Sequence, residues 1–144
     1  MSELPTKSAP PFTTARLGDA HDVVAPDTSE IRLLVSTGRG SMVHATLPVG
    51  GVSLAIVHRT VDELWYVLAG EGQMWRKLGN HEAVVGVAPG SALTIPCGTH
   101  FQFRVTGSEP LRVVLCTMPP WPGEQEAARV PGHWPVTETV PFGS

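Results

Sequence analysis

Short apolar runs alternate with turn signals along most of the chain. They read "EIRLLVST" (30–37), "SMVHATLP" (41–48), "VSLAIVHR" (52–59), "ELWYVLAG" (63–70), "GQMWRKL" (72–78), "EAVVGV" (82–87), "ALTIP" (92–96), "HFQFRV" (100–105) and "PLRVVLCTM" (110–118). Each has strand length and is rich in residues that suit a pleated, half-buried surface. The connections "TGRG", "VGG", "AGEG", "APG" and "TGSEP" are turn chemistry, with glycine supplying positive φ and proline presetting φ. No segment of helical length carries a clean 3.6-residue apolar stripe, and "GEQEAAR" (123–129) has room for one helical turn only. The pattern predicts one all-β domain over residues 16–118, closed on itself before residue 118. Proline-rich arms flank it at 1–15 and 119–144. The second arm carries Trp121, Trp134 and Phe142, which predicts that it packs along the domain or a partner.

Composition narrows the function classes. With 144 residues, 42% hydrophobic and 16% charged, the chain can bury a substantial core. The formal net charge is −3 and there is no Lys/Arg run, so the footprint of a nucleic-acid binder is missing. No apolar run approaches the ~20 residues of a membrane helix. The stretch "MSELPTKSAPPF" has no apolar core of a secretory signal. Cys97 and Cys116, the two cysteines, read as free thiols. The expectation is a cytoplasmic protein whose partners are a small molecule and a second copy of itself.

Two stretches carry candidate chemistry. In "HRTVDELWYVLAGEG" (58–72), Glu63 follows His58 by five positions and Gly70 follows Glu63 by seven. In "GSALTIPCGTHFQFRVTG" (90–107), Pro96 follows Gly90 by six positions, and Gly98 comes two later. The pair, in this order, resembles the two motifs of the cupin superfamily, G-x5-H-x-H-x(3,4)-E-x6-G and G-x5-P-x-G-x2-H-x3-N. Gly51 stands near the start of the first. The resemblance spans roughly residues 40–117. It implies a small jelly-roll β-barrel with its pocket among strands of both motifs.

The departures from the motifs shape the functional reading. In register, His58 falls on the second histidine and Glu63 on the glutamate. Ile56 takes the place of the first histidine, Phe101 of the third and Val105 of the asparagine. His100 lies one residue early, which in a strand is the other face. A β-bulge near Gly98 and Thr99 would turn His100 inward. The metal set would then be His58, Glu63 and His100, with Gln102 as a fourth donor and His44 a weaker candidate. Such a set suits a divalent ion such as Fe, Mn, Zn or Ni. Without the bulge there is no metal. Glu63 and His58 then share an apolar pocket with Ile56, Trp65, Val67, Phe101, Phe103 and Val105, where desolvation raises a carboxyl pKa towards neutrality.

Three functions follow. The first is an enzyme of lyase, isomerase or cyclase type, moving protons through Glu63 with His58 on a small, mostly apolar substrate. The second is a metal-dependent oxygenase using His58, Glu63 and His100. The third is a non-catalytic small-molecule-binding module.

Overall fold

The computed structural model describes residues 11–136, and Phe142 therefore lies outside the described residues. The strands are β1 (Val23–Val24), β2 (Glu30–Thr37), β3 (Gly40–Leu47), β4 (Ile56–His58), β5 (Asp62–Ala69), β6 (Gly72–Leu78), β7 (His81–Val87), β8 (Ala92–Ile95), β9 (His100–Val105), β10 (Leu111–Met118) and β11 (Ala127–Arg129). They form two sheets of antiparallel pairs. The first runs β1-β2-β3-β10-β5-β8 and the second β11-β4-β9-β6-β7. No helix among the described residues is long and apolar enough to cross a membrane.

The period-two pattern fixes which side chains enter the space between the sheets. Along β5, Glu63, Trp65 and Val67 are buried, while Asp62, Leu64, Tyr66 and Leu68 are exposed. β9 supplies Phe101, Phe103 and Val105 from the opposite sheet, and all three join Ile56, Trp65, Val67, Met74 and Leu115 in one apolar core. Full burial of an aromatic such as Phe101 contributes about 1.5–3 kcal/mol. Gly70 makes the β5–β6 turn possible. Its φ is +84°, and a Cβ there would lie 2.3 Å from the Pro110 carbonyl oxygen.

Two expectations are corrected. The run 52–59 is not one strand, because regular pairing is confined to Ile56–His58 and a single bridge joins Val52 to Arg104. Between them the backbone serves other partners: Leu54 N donates to the Asp27 carbonyl, and the Ala55 carbonyl accepts from Val130 N. The segment 123–129 is not simply a helical turn either. Glu124–Glu126 make a 3₁₀ turn, and Ala127–Arg129 then pair with β4 as β11, opposing Ala127 to His58.

Beyond β11 the arm crosses the outer face of the second sheet, anchored by Gln102. This side chain is fully buried. Its Nε2 donates to the carbonyls of Ser53 (2.9 Å) and Trp134 (2.8 Å), and its Oε1 accepts from the N–H groups of His133 (2.8 Å) and Trp134 (2.9 Å). The His133 ring stacks on Trp75, and the Arg104 guanidinium lies over Trp134.

Candidate functional site

His58 and Glu63 meet at one end of the barrel interior. His58 is the last residue of β4 and Glu63 the second of β5, so a three-residue connection, Arg59 to Val61, turns both side chains inward. Glu63 is flanked across its sheet by Thr117 and Ile95. The His58 Nε2 stands 3.8 Å from Glu63 Oε2, with side chains only 3% and 5% exposed. That gap is too long for a hydrogen bond. Glu63 Oε1 accepts from Trp65 Nε1 at 2.8 Å. His58 Nδ1 is buried with no hydrogen-bond partner. The rings of Phe101 and Trp121 meet His58 edge-on, at centroid distances of 5.2 and 5.3 Å.

Burial sets the charge states. Desolvation pushes Glu63 up to about 8, outweighing the Trp65 bond that favours the anion, and the nearby Asp27 and Glu126 carboxyls push it the same way. Desolvation pulls His58 down to about 4, against the opposite pull of Glu126. Near pH 7 the two groups are therefore a neutral carboxylic acid and a neutral imidazole, and not a salt bridge. With Oε1 committed to the Trp65 N–H, Oε2 is the natural seat of the Glu63 proton, facing His58.

Two acids near this pair escaped the sequence reading. Asp27 is buried before β2, its Oδ1 accepting from Ser29 N (2.9 Å) and Ser29 Oγ (2.6 Å). Desolvation raises its pKa above the ordinary value despite those bonds. "PDTS" carries the mark of such an Asx turn, but nothing local says that it is buried. Glu126 sits before β11 and accepts from Thr60 N (2.6 Å), Thr60 Oγ1 (2.6 Å) and Val61 N (2.8 Å). Its partners lie 65 and 66 positions away, beyond any local signal.

The inward register of β9 is the simple one. Phe101 is buried opposite Ile56, whereas His100 pairs with Val57 and takes the other face. Gly98 lies in a turn closed by Thr99 N donating to the Pro96 carbonyl, and no bulge turns His100 inward. Gln102 shares the outer face with His100 and its amide is spent on the arm, so neither residue joins His58 and Glu63. His44 is likewise on an outer face, opposite Arg32 and Val114. Asp62 does not close its own turn, since Oδ1 accepts from Cys97 N at 2.7 Å.

A divalent ion, which many members of this fold family hold, does not fit the residues present. Of the motif's ligand positions, two carry donors, and no group of three His, Cys, Asp or Glu among the described residues could hold a metal. The expected pocket residues Ile56, Trp65, Val67, Phe101, Phe103 and Val105 are all there, packed as core.

The comparisons agree with this architecture. An uncharacterized protein, MJ1618, of Methanocaldococcus jannaschii is 33% identical over 84 residues, 58% of this chain and 64% of the relative. The chain thus matches less than two thirds of that relative's length. A predicted oxalate decarboxylase of Thermotoga maritima superposes with a TM-score of 0.61 at 17% identity, over 74% of this chain and 98% of that one. The Streptomyces protein PAC13, solved with uridine, gives a TM-score of 0.59 at 15% identity, over 85% and 91%. The cupin-domain family model matches residues 43–118, which run from β3 through both motifs to the end of β10. Two antiparallel sheets closed on one core, with both motifs at the same end of it, are what that match requires, and the chain belongs to the cupin family.

Proposed function

We propose that this cupin is a small-molecule enzyme of lyase, isomerase or cyclase type, in which Glu63 with His58 moves a proton on a small, mostly apolar substrate. One observation carries the reading. A buried carboxyl and a buried imidazole face each other with unmet hydrogen-bonding capacity and with pKa values pushed to about 8 and about 4. A fold that only needed packing would leave neither group so placed. Near neutral pH Glu63 carries a proton to give and His58 a lone pair to receive one. A flat, weakly polar ligand would lie against the Phe101 ring beside His58, away from water. Relatives in the fold class include a predicted oxalate decarboxylase and a protein solved with uridine, so enzymatic cupins of this size are at hand.

The test is proton exchange. The protein is incubated in D2O with a panel of flat cyclic ketones, and deuterium incorporation is followed by mass spectrometry. Exchange that is present in the parent and absent in Glu63→Gln supports the reading. A Glu63 carboxyl titrating near 4.5 by carbon NMR would sink it. A second reading, a non-catalytic binding module, is favoured by the absence of His58 and Glu63 from the linings of the grooves of about 370 and 240 Å³ on the surface. On that reading ring compounds bind to parent and Glu63→Gln alike, without exchange.

We also propose that the chain works as a homodimer through the outer face of the first sheet, where Leu64, Tyr66 and Leu68 are about half exposed beside Met42. Light scattering at 15.3 kDa over a wide concentration range would contradict it.

A further inference from the structure

The site just described is closed to solvent, and Trp121, outside the matched motifs, is one of the rings that cover it. Trp121 packs against the core cluster from its edge and remains partly exposed. Its indole meets His58 at 5.3 Å, on a different side from Phe101 at 5.2 Å. Its backbone reaches the barrel through the Trp121 N–H, which donates to Ser41 Oγ at 3.2 Å, and Ser41 in turn bonds the Thr117 hydroxyl next to Glu63.

The segment that carries this indole is held firmly at both ends. On one side it leaves β10 at Met118. On the other, Arg59 N donates to the Glu126 carbonyl at 2.8 Å, Arg59 Nε donates to the Gln125 carbonyl at 2.7 Å, and the Glu126 carboxylate takes its three bonds from Thr60 and Val61. In between lies "PPWPG", in which three of the five residues have no N–H to anchor. Gly123 closes the segment at φ 140° and ψ −171°, a conformation essentially reserved for glycine. A groove of about 370 Å³ lies immediately outside, lined by Arg59, Thr60 and residues 122–126. The segment thus has open space to move into and a fixed latch beyond it.

We propose that Trp121 is the door of the Glu63–His58 site: its indole stands where a substrate ring must sit, and residues 119–123 swing outward about Gly123 to admit one. The proposal rests on the reading of Glu63 and His58 as the reacting pair for its meaning, but not for its test. It also names the ligand class. A space that a tryptophan side chain fills against the His58 ring takes a flat ring system of about the size of indole or smaller, presenting its edge to His58.

The experiment reads access to His58 without any substrate. Diethyl pyrocarbonate acylates neutral imidazoles, and peptide mass spectrometry reports each histidine separately, with the exposed His81 as internal reference. In the parent, His58 should label more slowly than His81 by at least about tenfold, and low urea should not change that rate, because opening a short segment exposes little surface. Trp121→Ala should bring His58 to within about threefold of His81, and Trp121→Phe should fall between. Millimolar indole should then protect His58 in Trp121→Ala. If His58 in the parent labels only in proportion to global unfolding, rising steeply with urea, Trp121 is a permanent part of the core and the door is overturned. If His58 stays unreactive in a folded Trp121→Ala, something else seals the site. If indole gives no protection, the ring class is wrong. Each of these outcomes can occur with proton exchange through Glu63 intact or absent, so the two proposals fail separately.

Discussion

Glu63 and Glu126 expose equally little surface, 5% each, but Glu63 points into the barrel interior whereas Glu126 lines the groove of about 370 Å³, and both act on His58 or its surroundings. Their chemistry is opposite. Glu63 receives one side-chain hydrogen bond, from Trp65, and desolvation wins, pushing its pKa to about 8. Burial would raise Glu126 too, but two N–H groups and a hydroxyl point at its oxygens, and together with His58 they hold it below the usual carboxylate range. Exposed area alone therefore does not decide whether a carboxyl is charged; its depth and the donors aimed at it do. The first acid keeps its proton near neutral pH, and the second is spent on holding the chain together.

The contrast breaks most clearly in activity. Glu63→Gln keeps the shape and removes the titrating proton, so exchange should fall by about 10²–10⁴-fold, while circular dichroism changes little and the thermal midpoint at pH 7 rises, because glutamine lacks the ionisation that favours the unfolded chain. The same substitution logic gives the reverse at Glu126. Glu126→Ala strands the Thr60 and Val61 donors and should cost about 2–3 kcal/mol, read as a drop in Tm of roughly 6–10 °C. If Glu126→Ala were neutral for stability and Glu63→Gln unfolded the chain, the assignment of roles would be inverted.

The pH dependence of stability sharpens the comparison. Glu63 remains protonated in the folded chain to about pH 8 but ionises near 4.5 when unfolded, so its contribution is full at low pH and lost as pH rises through that window. His58 titrates near 4 folded and 6.5 unfolded, so its contribution is full above 6.5 and lost as pH falls. The two slopes oppose one another between 4.5 and 6.5, which leaves Glu63 unopposed from 6.5 to 8, with Asp27, whose pKa is also raised, acting in the same direction. Urea unfolding should therefore show stability roughly flat in the first interval, then falling by about 1 kcal/mol per pH unit in the second. In Glu63→Gln the fall should shrink, and the rise contributed by His58 up to pH 6.5 should stand out more. A parent curve with no decline above pH 6.5 would mean that Glu63 is already ionised. The smallest effect is expected from Thr60→Val, which removes one of the three donors to Glu126 and should cost about 1 kcal/mol, with proton exchange untouched.

Much of this arrangement could be read from the chain. Period-two burial made Glu63, Trp65 and Val67 one face of a strand, and the simple register of "HFQFRV" put Phe101 and Phe103 inside, where the structure has them. His58 and Glu63 could be paired because both fall on ligand positions of the first cupin motif, which the chain resembles. What stayed hidden depends on long-range contact. The part Gln102 plays under the arm was not legible, because alternation says which way a side chain points, but not what later covers it. Asp27, Glu126 and Trp121 reach the site through loops and an arm whose paths no local period encodes. The break in 52–59 has the same origin, since its backbone groups are claimed by the Asp27 loop and by Val130.

The clamp at Gln102 has a consequence for how such a chain can be divided. A primary amide offers two donors and one two-fold acceptor, and all four valences here are used, three of them on the backbone of residues 133–134. A shortened chain ending at Met118, where the family match also ends, would keep every strand of the jelly roll but β11. It would leave this amide with one of its four bonds, to the Ser53 carbonyl, lose the Glu126 latch and strip the indole from His58. Such a fragment would look like a complete cupin by its motifs, yet its reactive pair would lie open to water, and the pKa values that make the pair useful would relax towards those of free side chains.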